Sequence, residues 1–134
     1  MQKTDACANQ IREINPLVQV QTYPHRITAR NAVSCFGACD IVCEAFDNPC
    51  AKAELINAIL EMEKGPILVS GSGMAGMDSA NRIHTRRALR RLYVCGDETS
   101  EAREGVGLMA PRVTVCAGHQ ANMALRLLMG ETEP

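Results

Sequence analysis

The sequence predicts an α/β fold with a mostly parallel sheet flanked by helices. Two short apolar runs, Asp40 to Ala45 and Ile67 to Ser70, carry that expectation, since strands of parallel sheets are buried on both faces and read as continuous apolar stretches. Helical patterns alternate with these runs through the first half of the chain, as in βα units. The third observation is size: 134 residues, 46% of them hydrophobic, fit one globular domain with a core of its own. Residues 1–134 are therefore read as a single domain.

Taken in order, Thr4 to Ile14 reads as a helix with Cys7, Ile11 and Ile14 on one face. Asn15-Pro16 ends it, because proline drives the residue before it out of the helical region. Leu17 to Tyr23 alternates around Val18 and Val20 and reads as a strand. Ile27 to Phe36 is weakly helical. Asp40 to Ala45 is the first buried strand. Asn48 suits a helix cap and Pro49 the first helical position, so a helix is expected to run to about Glu63 with Leu55, Ile56, Ile59 and Leu60 inward. Gly65-Pro66 closes that helix and Ile67 to Ser70 is the next strand. Gly71 to Ala80 reads as a loop, Asn81 to Cys95 as strand pieces joined by a turn, and Asp97 to Gly107 as a polar, flexible stretch. The last helix runs from about Arg112 to Met129, with Gly130 as a C-cap. Its start, Arg112 to Val115, alternates like a strand.

Composition excludes several classes. The net charge of −1 gives the whole chain no polyanion-binding character. Aromatic residues make up 3%, so no base-stacking platform is supported. No apolar run approaches the ~20 residues that span a bilayer. The first residues, Met1 to Asp5, form no apolar signal region. The expectation is a soluble cytoplasmic protein without membrane or nucleic-acid partners. Its seven cysteines form no CxxC pair and read as reduced, buried thiols in a reducing compartment. Cys35, Cys39 and Cys43 are spaced by four, but Cys43 falls in a strand, where the sulfurs do not converge as on a helix.

Four features are candidates for chemistry. Asp47 lies just past the carboxyl end of a buried strand and just before a helix. There it is either a helix cap or a hard oxygen ligand for Mg²⁺ facing nucleotide phosphates. Gly71-Ser72-Gly73-Met74-Ala75-Gly76 matches GxGxxG, but the dinucleotide fingerprint also needs a helix opening within the motif. The stretch from Met77 to Arg91 offers no clean apolar face for one. A loop lining a pocket is the competing reading, since glycine permits close backbone approach. The basic run His84 to Arg91 is either a solvated face or a site for an acidic partner. Cys95 precedes Gly96-Asp97 in a polar stretch and is expected to be the most exposed thiol, hence the best nucleophile candidate. Lys3 alone reads as a solvated charge, and His119 as a core or interface histidine.

The ordered set of motifs is more informative than any one of them. Lys3 with Asn15-Pro16, then Cys39 to Asn48, then Lys52, then Ile67 to Gly76, resembles the ThiF/MoeB/HesA family of adenylating enzymes. The closing stretch from Ala110-Pro111-Arg112-Val113 through Gln120-Ala121 to Leu127-Leu128-Met129-Gly130 is similar to that family's last helix. The details look most like the short ThiF-type branch serving the thiamine sulfur carrier. The resemblance implies ATP-dependent adenylation of the C-terminal Gly-Gly carboxylate of a small ThiS-like carrier, and a homodimer. It implies that Lys3, Asp47 and Asn48 bind ATP, that Lys3 and Asp47 act in catalysis, and that Asp47 holds Mg²⁺. The family's phosphate-binding glycine loop lies upstream of the lysine. The chain is thus expected to match the C-terminal part of the module, without the N-terminal nucleotide-binding βαβ portion, and activity of this part alone is not implied. The readings that compete are a fragment of an NAD- or FAD-binding oxidoreductase and a non-catalytic protein-interaction module.

Overall fold

The computed structural model describes residues 1–134. The first element is helix α1, Lys3–Ile14, followed by α2, Ala29–Phe36. Thr28 and Asn31 form a reciprocal cap at the start of α2, in which Asn31 Oδ1 accepts from Thr28 N at 2.8 Å. Strand β1, Ile41–Glu44, leads to helix α3, Pro49–Leu60, and strand β2, Ile67–Gly71. A hairpin of β3, His84–Leu89, and β4, Leu92–Gly96, precedes the long closing helix α4, Ala110–Leu128.

The sheet order is β1-β2-β4-β3. Strands β1, β2 and β4 are parallel, with Glu44 opposite Ser70 and Gly71 opposite Cys95. Strand β3 runs antiparallel to β4 along the outer edge. The mostly parallel sheet with helices on its faces is the one expected. On one face, Ala32, Leu55 and Ile59 from α2 and α3 cover Val42, Leu68 and Leu92. On the other, Cys116 and Met123 from α4 pack with Val69, Tyr93, Cys95 and Ile83. The three parallel strands place a candidate ligand end at one edge of the sheet, because the loops leaving the carboxyl ends of β1, β2 and β4 gather there.

Several expectations need correction. Leu17 to Tyr23 forms no strand. An alternating pattern makes a strand only where a neighbour takes its backbone hydrogen bonds, and the sheet contains no strand beside this segment. Instead Leu17 N donates to Asn15 Oδ1 at 3.0 Å and Val18 N to Asn15 O at 3.2 Å, which turns the chain after α1. Strand β1 is not buried on both faces: Val42 and Glu44 are buried while Cys43 is exposed, because β1 lies at a sheet edge. Helix α3 stops at Leu60, short of Glu63. The Arg91 guanidinium ends it by donating to Leu60 O at 3.0 Å, to Met62 O at 2.5 Å and to Pro66 O at 3.2 Å. The alternation at Arg112 to Val115 lies inside α4, where Arg112, Cys116 and Met123 are the buried residues at helical spacing. Polar residues 97–107 form a loop pinned by the backbone bridge of Ala75 with Leu108 and by Gly76 N donating to Gly107 O at 2.9 Å. No helix is long and apolar enough to cross a membrane.

The cysteines also differ from expectation. Cys95 and Cys116 are buried, Cys35 is half-buried, and Cys7, Cys39, Cys43 and Cys50 are exposed. Four thiols thus sit on elements that have no covering layer, on α1, after α2, on the β1 edge and on the first turn of α3.

Candidate functional site

The carboxyl end of β1 delivers the chain into α3 through Phe46, Asp47 and Asn48. Asn48 caps the helix, its Oδ1 accepting from Ala51 N at 2.9 Å, and Pro49 occupies the first turn where a missing N–H costs nothing. The cap is therefore Asn48, and the carboxylate of Asp47 is left over. Asp47 is exposed and makes no ion pair. It borders a shallow open cavity of about 410 Å³ together with His25, Arg26, Ile27, Phe46, Asn48 and Ala51. A carboxylate, two basic side chains and the positive end of a helix dipole thus meet in one depression.

Behind this edge lies a buried polar knot. Glu44 is 1% exposed. Its Oε2 accepts from Lys52 Nζ at 2.5 Å and from Ser70 Oγ at 2.5 Å, and its Oε1 from Phe46 N at 2.5 Å. Lys52 also donates to Gly71 O at 2.7 Å. Gln120 of α4 reaches across the sheet, donating to Glu44 O at 2.9 Å and to Val69 O at 3.1 Å. Sequence reasoning passed over Glu44. The one available signal was a charge inside the apolar run Ile41 to Phe46, and its partners Ser70 and Gln120 are distant in sequence.

A second knot joins the glycine loop to the turn after β4. Gly73 has φ +82° and Gly96 φ +141°. A Cβ on Gly73 would collide with Asp97 Oδ1 and Glu98 N, and one on Gly96 with Ser72 O. Only glycine permits this interlock. Asp97 N donates to Gly73 O at 2.8 Å, and Glu98 N to Ser72 O at 3.1 Å. The Asp97 carboxylate accepts from Thr99 N at 2.9 Å, Ser100 N at 2.8 Å, the Ser100 hydroxyl and Arg112 Nη2 at 2.8 Å. Burial by itself would raise this carboxyl, but the Arg112 and Ser100 bonds outweigh it and hold it far below the usual carboxylate range. A depressed pKa stabilises the fold fully above the unfolded value of about 4 and loses that contribution as pH falls toward the folded value. Asp97→Asn is therefore expected to destabilise the chain at pH 7, and by clearly less at pH 3, in urea unfolding at the two pH values. An equal loss at both would show that the charge contributes nothing.

Residues 1–134 match the ThiF family along their whole length. The chain belongs to the ThiF family. It is 26% identical over 134 residues to the adenylyltransferase and sulfurtransferase UBA4 of Candida glabrata, matching 97% of this chain and 31% of that protein. To the Meyerozyma guilliermondii UBA4 it is 28% identical over 133 residues, again with 31% of that protein covered. The chain thus spans less than a third of the length of these curated relatives. Among solved structures, the E. coli tRNA N6-threonylcarbamoyladenosine dehydratase TcdA in complex with AMP superposes with a TM-score of 0.80 at 18% identity, over 97% of this chain and 65% of that one. The same enzyme in complex with ATP gives a TM-score of 0.71 at 17% identity, over 98% of this chain and 67% of that one. At that identity the likeness is one of fold.

Against this ThiF-family frame the residues singled out from sequence fall into three groups. Asp47 and Asn48 share one cavity. Lys3 is exposed at the first position of α1; it does not line that cavity and bonds to neither residue. Cys95 is not the most exposed thiol but 0% exposed. It faces α4 from β4, and the carbonyl of Cys95 accepts from Cys116 Sγ at 3.3 Å. Burial pushes its thiol up, against a weaker opposing bond from Thr85, and pushes Cys116 up to about 11. Native labelling with a maleimide is expected to modify Cys7, Cys39 and Cys50, to modify Cys43 more slowly because burial pushes its thiol up, and to spare Cys95 and Cys116; rapid modification of Cys95 would contradict its burial. His119 is half-buried on α4, its Nδ1 3.0 Å from Thr85 Oγ1.

The glycine loop opens into a 3₁₀ turn, Ala80–Arg82, and strand β3. No α-helix starts near Gly73, which removes the main support for a nicotinamide or flavin site. Three of the arginines in the basic run are also spoken for. Arg86 makes a two-bond pair with Glu98 at 2.6 Å, Arg87 stacks over the Tyr93 ring at 5.6 Å, and Arg91 caps α3. No group of three or more His, Cys, Asp or Glu side chains converges to hold a metal by itself. A single free carboxylate such as Asp47 nevertheless fits Mg²⁺, which commonly takes one or two carboxylates and completes its shell with phosphate oxygens and water.

Proposed function

We propose that this chain is the C-terminal part of an adenylyltransferase that activates the C-terminal Gly-Gly carboxylate of a small ubiquitin-like sulfur carrier, of the ThiS kind that serves thiamine biosynthesis. The observation that carries the reading is the unpaired Asp47 carboxylate, set between a parallel strand end and a helix start in a ThiF-family chain. In this reading a carrier carboxylate oxygen attacks the α-phosphorus of ATP. The bond to the bridging oxygen breaks, and pyrophosphate leaves with that oxygen and its electron pair. An acyl-adenylate results, open to a sulfur donor.

Asp47 holds Mg²⁺ when it is bound, which offsets charge on the polyphosphate. Asn48 keeps the first turn of α3 oriented toward the phosphates. Lys3 stabilises the negative charge that develops on the phosphate oxygens and the departing pyrophosphate as the bond breaks. The enzyme works as a cytoplasmic homodimer. The relatives named adenylyltransferase and sulfurtransferase UBA4 support an adenylated substrate that goes on to receive sulfur, and the internal use of Arg86, Arg87 and Arg91 disfavours a nucleic-acid one.

Mass spectrometry of a ThiS-like carrier incubated with this chain and Mg²⁺-ATP tests the proposal. A carrier adduct heavier by one adenylyl group is expected. An adduct on tRNA components instead, with the carrier unmodified, would overturn the choice of substrate.

A further inference from the structure

The loops that leave the carboxyl ends of β2 and β4 are both tied to α4 through one side chain. Arg112 is 4% exposed. Its Nη1 donates to Ala75 O at 2.5 Å and its Nη2 to Asp97 Oδ2 at 2.8 Å, while Nε is buried without a partner. Replacing a buried ion pair by apolar groups of the same volume is often neutral for stability or better. What the guanidinium adds is direction, because its planar fork fixes two acceptors at a set separation. One acceptor, Ala75, lines a cavity of about 480 Å³, and the other, Asp97, holds Ser100, which lines it as well, together with Gly76, Asp78, Val106, Gly107 and Met109 among others. No basic side chain lines it. Its exposed glycine backbone and apolar side chains suit an extended peptide better than a phosphate.

We propose that Arg112 is a positioning residue: its buried guanidinium holds the glycine loop at Ala75 and the turn at Asp97 in fixed relation, and so sets the opening of the cavity between them. The inference deepens the adenylation reading, and only its kinetic arm rests on that reading.

The test uses the whole chain with Arg112→Met, which keeps volume and drops the charge, and Arg112→Lys, which keeps charge and loses the fork. Hydrogen exchange needs no activity. Gly76 N donates to Gly107 O, and Val106 N to Arg103 O at 2.8 Å. These two amides are expected to exchange about tenfold faster in Arg112→Met and less so in Arg112→Lys, with Val69 and Val94 in the strands unchanged. In the carrier-dependent reaction, the KM for a carrier ending in Gly-Gly is expected to rise about tenfold more than the KM for ATP, with partial rescue in Arg112→Lys. Unchanged exchange at Gly76 and Val106, or equal acceleration throughout the sheet, would overturn the role. So would equal changes in both KM values. Absence of carrier-dependent activity in both the wild-type chain and its upstream-extended version would sink the adenylation reading while leaving the exchange result to decide on Arg112.

Discussion

Asp47→Ala is expected to slow carrier adenylation by about 10²- to 10³-fold, the usual cost of removing one preorganised electrostatic contact in a transition state. The fold is expected to tolerate the change. Asp47 is exposed and unpaired, and the α3 cap belongs to Asn48, whose Oδ1 bond to Ala51 N stays in place. Urea unfolding of Asp47→Ala should therefore shift by no more than about 0.5 kcal/mol, as for ordinary surface changes. Asn48→Ala differs in that it should also cost about 1 kcal/mol of stability through the lost cap. Single-turnover formation of the carrier adenylate separates the two. An Asp47→Ala chain that forms adenylate at the wild-type rate would reduce Asp47 to a bystander at the helix start.

Glu44→Ala is expected to be among the most destabilising single changes in the chain, at about 3–5 kcal/mol. The carboxylate has a side chain that is 0% exposed, and its removal leaves Lys52, whose side chain is 21% exposed, without its counter-charge. Ser70 Oγ and Phe46 N lose their acceptor as well. Water reaches Lys52 in part, which places the loss toward the lower end of that range. The control is the paired replacement Glu44→Met with Lys52→Met. Removing both charges together should recover much of the loss, because it leaves neither ion buried and unpaired. Denaturant midpoints of the single and double variants measure the coupling. Equal and additive losses would mean that the two side chains stabilise the sheet independently.

The legible part of this fold was local. Asn48-Pro49 announced α3, Asn15-Pro16 ended α1, and the apolar runs at Ile41 and Ile67 marked β1 and β2, because caps, breakers and buried strands are encoded within a few residues. The parts that misled depend on neighbours remote in sequence. Val18 and Val20 alternate as a strand should, yet no strand lies beside them to accept their hydrogen bonds. Cys95 looked exposed beside Gly96-Asp97, but α4 covers it through Cys116. Glu44 and Arg112 were not singled out and are buried, because their partners Ser70, Gln120, Ala75 and Asp97 arrive from other elements. Asp47 stood out in the sequence because its signal, a carboxylate between strand and helix, is contained in one short stretch.

The central claim is carrier adenylation with Asp47 in the site, and ATP–pyrophosphate exchange tests it most directly. Wild-type chain, Lys3→Ala and Asp47→Ala would be assayed with Mg²⁺-ATP and a ThiS-like carrier ending in Gly-Gly, each alone and beside a version extended upstream. Exchange that requires the carrier and collapses in Asp47→Ala, in whichever version is active, is the expected result. Exchange without the carrier, or none in either version, would contradict the account.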